Sequence, residues 1–465
     1  MNAPGMFRSR YLHAAITVVL GSMLFGQGCP SLSPPPSGGN NGNQNPPPVV
    51  SKYAGSADCY ICHANQHTDW GLTAHARAYE TLKFVGQENN PVCLTCHTTG
   101  YDDGGFIDEA TTPALAGVGC EACHGPSADH RSNVTVAALR PPVTVAADMC
   151  TKCHNGFHHN TGDEWASSRH GRVTPAEAES FVAGNSLNSC GECHSGDFRL
   201  EKLIKGATTV ADTLLVGRDP AEISGVTCAV CHDPHRNTGN AVLAPAGHDY
   251  QLRYPEIASP EPTNTIAAVT DAKRFEGCGQ CHHSRGRVWS DSRGPHHSIQ
   301  ANFYTGEMPA PAGEAPLVPN TRTVHRFVFK QCVTCHMQHE EKIASDPDEV
   351  GDLHAGHSFR VESLAGCVTS GCHPSVASVE ADTANLQNSV LTRIANIRAR
   401  LGDPSTWEYS SSGGPRDQST VPDEVKKVRF LIAYIESDGS LGVHNPEYAR
   451  AILSQAEMLL TSIGK

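Results

Sequence analysis

The stretch Gly117-Val-Gly-Cys-Glu-Ala-Cys-His-Gly-Pro-Ser-Ala-Asp-His130 decides how this chain folds. Cys120 and Cys123 stand three apart and His124 follows at once. Cys-x-x-Cys-His is the attachment signature of c-type haem. The two thiols add to the two vinyl groups of one porphyrin, and the adjoining imidazole lies beneath the iron. His130, six residues beyond His124, offers an imidazole for an opposite face, and its place after a Gly-Pro turn points it to a neighbouring haem.

Working outward, the same motif recurs as Cys59/Cys62/His63, Cys93/Cys96/His97, Cys150/Cys153/His154, Cys190/Cys193/His194, Cys228/Cys231/His232, Cys278/Cys281/His282 and Cys332/Cys335/His336. A ninth copy, Cys367/Cys372/His373, has four residues between its cysteines. These nine motifs absorb all but one of the 19 cysteines, leaving Cys29. A disulfide framework has no reason to place a histidine after every second cysteine. Zinc sites pair two Cys-x-x-Cys units without that fixed histidine, and a thioredoxin-like motif occurs once, beside a βαβ pattern. The reading is therefore nine covalently bound haem c groups, with His63, His97, His124, His154, His194, His232, His282, His336 and His373 as proximal ligands.

The chain has 465 residues and a formal charge of -13. With nine haems in that length, porphyrin replaces much of the apolar core. Haem propionates add further negative charge, so a nucleic-acid partner is disfavoured. Arg8 and Arg10 precede the mostly apolar run from Tyr11 to Phe25, too short for a membrane span. Residues 1–28 read as a signal peptide of lipoprotein type, with Cys29 as the lipid-bearing residue, although Gly26 stands where such a box has Leu. Residues 29–50, rich in Pro, Gly and Asn, read as a tether. Export to the periplasm, outer membrane or cell surface follows.

Residues 51–375 then form a nine-haem cytochrome domain. Within it, Trp70-Gly-Leu-Thr-Ala-His75 and Trp165-Ala-Ser-Ser-Arg-His170 share W-x-x-[ST]-x-H, loosely repeated at Trp289 with His296 and His297. Each reads as one turn of helix delivering an imidazole. His235, three residues after His232, is set to reach a neighbouring haem. His325-Arg-Phe and His357-Ser-Phe precede late motifs, each with an aromatic residue able to pack on porphyrin. Of 26 histidines, sixteen remain for nine distal positions once the proximal set and His13 are removed. Of the adjacent pairs His158/His159 and His296/His297, each is expected to supply one ligand at most. His283 reads as a bystander.

Residues 376–465 carry no haem motif. Leu386, Val390, Ile394, Ile397 and Leu401 recur at helical spacing, ended by Gly402-Asp-Pro. Asp423 to Glu436 is a second amphipathic stretch. Asn445-Pro446 opens a third, running to about Ser462. These segments predict a helical bundle packing on the haem domain, with His444 available as a ligand.

Several stretches carry a family resemblance: W-x-x-[ST]-x-H, Cys93-Leu-Thr-Cys-His-Thr-Thr-Gly-Tyr101, Gly117 to Pro126, Gly225 to His235 and Gly442-Val-His-Asn-Pro-Glu-Tyr-Ala449. The chain resembles the bacterial multihaem cytochrome c superfamily, which includes the tetrahaem cytochrome of nitrifiers, ammonia-forming nitrite reductase and hydroxylamine oxidoreductase. The resemblance implies a mainly α fold with much irregular loop, an extended arrangement with stacked haems as core, and a C-terminal helical bundle. His75, His130, His170 and either His296 or His297 match positions that look like distal ligands there. His296 is taken as the ligand of that pair. With His235, His325, His357 and His444 they complete the candidate distal set. The Cys-x-x-Cys-Lys motif of the nitrite reductases is absent from this sequence.

Two functions fit. Bis-histidine haems keep iron low-spin through a redox cycle, which suits a carrier passing electrons between envelope redox proteins. Self-association into a filament is a variant of this. The alternative is a reductase of nitrogen or sulfur oxyanions with one open haem, where Arg285, Arg287, Arg293, His296 and His297 would meet the anion. Those arginines also suit propionate pairing, and the carrier is the favoured reading.

Overall fold

A computed structural model describes residues 51–465, apart from 157–158, 206–211, 240–248, 255–276, 329, 342–351 and 370. The export segment at 1–28, the tether at 29–50 with Cys29, and His158 lie outside the described residues. The architecture is mainly helical, in short pieces joined by irregular loops. The sheet among the described residues is a two-stranded antiparallel pair, Glu340–Glu341 with Asp352–His354. No helix among the described residues is long and apolar enough to cross a membrane.

Most motifs sit in or at the edge of a short helical turn, as in Pro91–His97, Cys120–His124, Leu187–His194, Cys228–Cys231 and Cys332–His336. The spacing explains this. Residues i, i+3 and i+4 share one helical face, so two thiols and the imidazole point the same way. Local capping sets the ends. Asn90 accepts a hydrogen bond from Val92 N–H ahead of Pro91, and Thr98 turns extended after His97. Side-chain cores in this region are small. One gathers Tyr79, Leu82, Leu94, Phe106 and Leu115, another Phe181, Leu187, Phe198 and Leu215.

The two W-x-x-[ST]-x-H segments are built alike. The Ala64–Trp70 helix ends at its tryptophan, and Thr161–Ser167 ends two residues after Trp165. The histidine therefore lies past the helix end rather than on one continuous turn. The hydroxyl residues give the reason. Thr73 Oγ1 donates to the Trp70 carbonyl and Ser168 Oγ to the Trp165 carbonyl, both at 2.7 Å and each alongside the N–H of the same residue, tightening the chain there. Each indole then donates to a carbonyl just ahead of a haem motif. Trp70 Nε1 reaches Val118 O at 3.0 Å and Trp165 Nε1 reaches Val226 O at 2.8 Å. The glycine before each valine allows the approach. A Cβ at Gly117 would lie 2.8 Å from Ala76 O, and one at Gly225 would overlap His170 O. Gly117 also adopts φ of +93°, which favours glycine.

The C-terminal bundle has a conventional core. Its helices are Val376–Leu401, Asp423–Asp438 and Pro446–Ser462. The second runs two residues beyond Glu436, to Asp438, and stops where Gly439 takes φ of +79°. Val390, Ile394, Ile397, Val428, Leu431, Ile435, Ile452 and Leu460 are buried together with Trp289, Ile299, Phe303 and Val318, so one apolar cluster joins bundle and haem region. Asn445 fastens the junction. Its Oδ1 caps the third helix through Tyr448 N–H, and its Nδ2 donates to the carbonyls of Phe303, Tyr304 and Thr321.

Candidate functional site

We number the nine motifs as sites I to IX in chain order. A metal between two imidazoles, with metal–nitrogen bonds of about 2.0–2.1 Å, holds the ring centres roughly 6 Å apart. Among the described residues, six proximal histidines have a second imidazole at that spacing. His75 faces His154 of site IV at 6.0 Å, and His170 faces His282 of site VII at 6.0 Å. His235 faces His124 of site III at 6.1 Å, and His357 faces His232 of site VI at 6.4 Å. His297 faces His194 of site V at 5.8 Å, and His444 faces His336 of site VIII at 5.9 Å. Every pair joins segments from different motifs.

Several of the ligand candidates have Nδ1 anchored, which leaves Nε2 to face a metal. His97 bonds Ala78 O at 2.9 Å, His124 Pro142 O at 3.0 Å, His232 Tyr250 O at 2.6 Å and His336 Phe359 O at 3.1 Å. His357 bonds Ala355 O at 2.9 Å and His282 the Gln300 amide oxygen at 3.0 Å. Two others meet carboxylates: His194 with Glu177 at 2.9 Å and His444 with Asp438 at 2.7 Å. Burial, with a smaller contribution from neighbouring imidazoles, holds His154 and His170 down to about 4. Burial likewise lowers His75, His232, His282, His336 and His357. Such imidazoles are neutral at pH 7, the form that ligates metal.

The remaining candidates are placed less directly. His325 lies near enough to His373 of site IX for their charges to interact. His130 does not face His124. The Arg131–Asp58 ion pair, 3.5 Å, brings its helix against Ser56–Cys59 at site I, and its Nδ1 is buried without a hydrogen-bond partner. For His63 and His97 no imidazole at the pair spacing is found among the described residues. At site V His297 faces His194, with His296 beside it, and a ligand nitrogen from each of the three lies within 4.8 Å of the others. His296 packs on His297 at 4.1 Å, and its Nδ1 is 2.7 Å from Ser298 Oγ. His159 is a second neighbour of His154, at 6.0 Å.

The thiols show which sites adjoin. Thiols lie side by side between Cys59 and Cys120, Cys96 and Cys153, Cys150 and Cys228, Cys193 and Cys281, and Cys335 and Cys367. Cys123 lies near Cys150 and Cys153, and Cys231 near Cys278. His282 and His336 interact with each other and with His444. Buried cations line this region. Arg285 acts on Cys193, His282, His296 and His297, and one of its terminal nitrogens is buried without a partner, as is Nε of Arg199 beside Cys193 and Cys281. Orphaned guanidinium N–H groups beside attachment cysteines fit haem propionates.

Two attachment cysteines depart from the expected pattern. The motif predicts thiols sheltered together on one helical face, yet Cys62 and Cys372 are exposed, whereas the other motif cysteines are at least half-buried. In both motifs the first cysteine, Cys59 or Cys367, meets the adjoining site, and the second lies in a turn beyond its helix, Ser56–Cys59 or Ala365–Thr369. Spacing adds a reason at site IX. On a continued helix Cys372, five residues after Cys367, would sit about 140° away round the axis. The chain instead leaves the helix and turns at Gly371, with φ of +76°. Sites I and IX thus each present one thiol at the surface.

The family model for cytochrome c554 and c-prime matches residues 58–125. Cytochrome c-554 of Nitrosomonas europaea is 30% identical over 149 residues, 25% of this chain and 62% of that protein. The Cys-x-x-Cys-His motifs, this likeness and the further match to the multihaem cytochrome MtrA of Shewanella baltica, 27% identical over 164 residues, 31% of this chain and 45% of that protein, agree. The chain belongs to the multihaem c-type cytochromes. The dissimilatory sulfite reductase MccA of Wolinella succinogenes is 21% identical over 444 residues, 83% of this chain and 56% of that protein. This multihaem cytochrome thus spans less than two thirds of each of these relatives. The crystal structure of the outer cell wall cytochrome OcwA superposes with a TM-score of 0.56 at 19% identity, covering 88% of this chain and all of the other. At that identity the likeness speaks for the fold alone. The cytochrome binds haem c.

Sequence reasoning missed Glu177, Asp438 and Gln300, the side chains that hold ligand imidazoles. Asp438 had a local signal, an acid six residues ahead of a candidate histidine across the Asp438-Gly439 turn. Glu177 and Gln300 lie 17 and 18 residues from their histidines and had none. Glu164 was missed too. It receives the N–H groups of Ala355 and His357 at 2.9 and 2.7 Å and so positions the loop bearing His357.

Proposed function

We propose that this cytochrome is an electron conduit carrying nine haem c groups, most of them held between two histidines. The six facing imidazole pairs, at 5.8–6.4 Å, carry the reading. The bound haem supplies a one-electron iron couple. With haem bound, His75, His235, His297, His170, His357 and His444 would supply the second imidazole at sites IV, III, V, VII, VI and VIII, which would exclude substrate from those irons and favour the low-spin state. His325 closes site IX, and His130 serves site I. The adjoining thiols and imidazoles support a path I–III–IV–VI–VII–VIII–IX, with site II beside IV and site V beside VII. Cys62 and Cys372 hold their haems by an outward edge, which suits the two ends of such a path. The partners are redox proteins of an envelope chain. Residues 1–28 export the protein, Cys29 and the 29–50 tether hold it at a membrane, residues 51–375 carry the haems, and residues 376–465 pack on them. Self-association end to end would lengthen the path.

A second reading, a sulfur or nitrogen oxyanion reductase, is favoured by the long alignment with MccA. Electron paramagnetic resonance of the oxidised protein separates the two, with haem counted by intact mass. The conduit expects nine haems and low-spin signals unmoved by sulfite, nitrite or hydroxylamine. A stoichiometric high-spin signal that shifts with one of these anions overturns it in favour of the reductase.

A further inference from the structure

Carboxylates within hydrogen-bonding distance of His194 and His444 set sites V and VIII apart: the proximal Nδ1 atoms of sites II, III and VI meet neutral carbonyls, and at site III Asp233 stays 3.9 Å from His235 Nδ1 and is paired with Arg236 and Arg253. At site VIII the contrast lies within one pair. His336 bonds the Phe359 carbonyl, while His444 opposite it bonds Asp438 Oδ1 at 2.7 Å. Asp438 has no side-chain exposure, against 33% for Glu177. Its other oxygen receives the N–H and the hydroxyl of Ser440. No Lys or Arg pairs with it among the described residues, so its charge acts on His444 with little screening.

We propose that Asp438 makes site VIII a low-potential step of the path, by drawing the Nδ1 proton of His444 and raising the ligand's electron donation to iron. This rests on the reading of His444 as the ligand opposite His336. The couple is one electron, iron(III) to iron(II), with no proton or ligand exchanged. A more basic imidazole, backed by a buried anion, favours iron(III). Glu177 acts likewise through His194 at site V, weakened by solvent. Site VIII lies between VII and IX, so an electron moving to the end of the path passes the tuned iron. The carboxylate therefore fixes how reducing a donor must be to load it.

The test is D438N in the full protein, read by optical redox titration and by electron paramagnetic resonance. The asparagine oxygen still accepts the Nδ1–H but carries no charge. One component of the nine should become at least tenfold easier to reduce, about 59 mV for one electron, with its low-spin signal retained. E177Q should move a different component less. S440A removes a hydroxyl donor from the carboxylate, strengthens its pull on His444, and should move the D438N-sensitive component the opposite way. Unchanged titrations in D438N and S440A, with nine haems bound, overturn the proposal. H444A tests the underlying ligand reading. It should turn one low-spin haem high-spin, and an unchanged spectrum would sink that reading rather than the tuning alone.

Discussion

The first two groups of three motifs repeat each other, and the third does not. Sulfur contacts join sites I and III as they join IV and VI, and sites II and IV as they join V and VII. In each group a tryptophan docks on a Gly-Val pair ahead of the third motif, and its histidine is passed forward. His75 of the first group faces His154 at the start of the second, and His170 of the second faces His282 at the start of the third. This correspondence favours His75 over His159 as the partner of His154. In the third group Phe329-Lys330 holds the corresponding positions before Cys332 and Leu364-Ala365 those before Cys367, so no Gly-Val pair awaits Trp289. The Trp289 indole turns to Glu314 Oε2 at 3.2 Å and packs into the bundle core, and His297 turns back to site V. Sites VIII and IX adjoin each other instead, and the bundle supplies His444. One sequence pattern thus serves a following group where there is one, and a preceding site where the chain gives way to bundle.

The largest expected effect is on spin state. H75A and H170A should each convert one haem from low-spin to high-spin, at sites in successive groups. H297A should do the same at site V, while H296A leaves the spectrum as it was. Loss of a low-spin signal in H296A, with H297A silent, would break the comparison at its third member. Electron paramagnetic resonance of the oxidised variants, with haem content checked by mass, reads all four.

The docking glycines come next. G117A places a Cβ against Ala76 O and holds alanine at positive φ, and should cost about 2–3 kcal/mol. G225A meets the His170 carbonyl directly and should cost a similar amount while disturbing site VII. Thermal unfolding followed by far-UV circular dichroism measures both. If either substitution is neutral, the close approach is not what seats the histidine.

The motifs were legible because covalent haem attachment fixes two cysteines and a histidine within five residues, or seven at site IX, and the bundle because its apolar periodicity is local. Motif spacing did not announce that Cys62 and Cys372 face solvent, because that depends on which neighbours each site has in space. The forward-passed histidines announced themselves through Trp and a hydroxyl at fixed offsets. Their destinations did not, since His75 and His154 lie 79 residues apart and His170 and His282 lie 112 apart. The helical reading of W-x-x-[ST]-x-H failed in detail because Thr73 and Ser168 each give both N–H and hydroxyl to the tryptophan carbonyl three residues back, tightening the chain there. His297 was hard to separate from His296 for a related reason. Adjacent imidazoles differ in which way a Gly-Pro turn sends them, and the Ser298 hydroxyl that engages His296 is indifferent to sequence pattern.

The smallest effects should come from the tryptophans, and they should divide as the groups do. W70F and W165F each leave a valine carbonyl without its indole donor, worth about 1 kcal/mol. Since that bond also fixes the chain five residues ahead of a ligand, each variant should broaden the low-spin signal of one haem, at site IV for W70F and site VII for W165F. W289F loses a bond to a carboxylate and part of the attraction between the ring and Lys427, whose Nζ stands 4.7 Å from its centre. Phenylalanine keeps the apolar contacts, so the loss is about 0.5–1 kcal/mol. His297 comes eight residues later, beyond Gly294-Pro295, and its pairing with His194 does not pass through the indole. A W289F protein with a slightly lower melting temperature and an unaltered spectrum is therefore the outcome that separates a tryptophan packing a core from two that aim a ligand. Broadening at site V in W289F would instead join all three groups under one device.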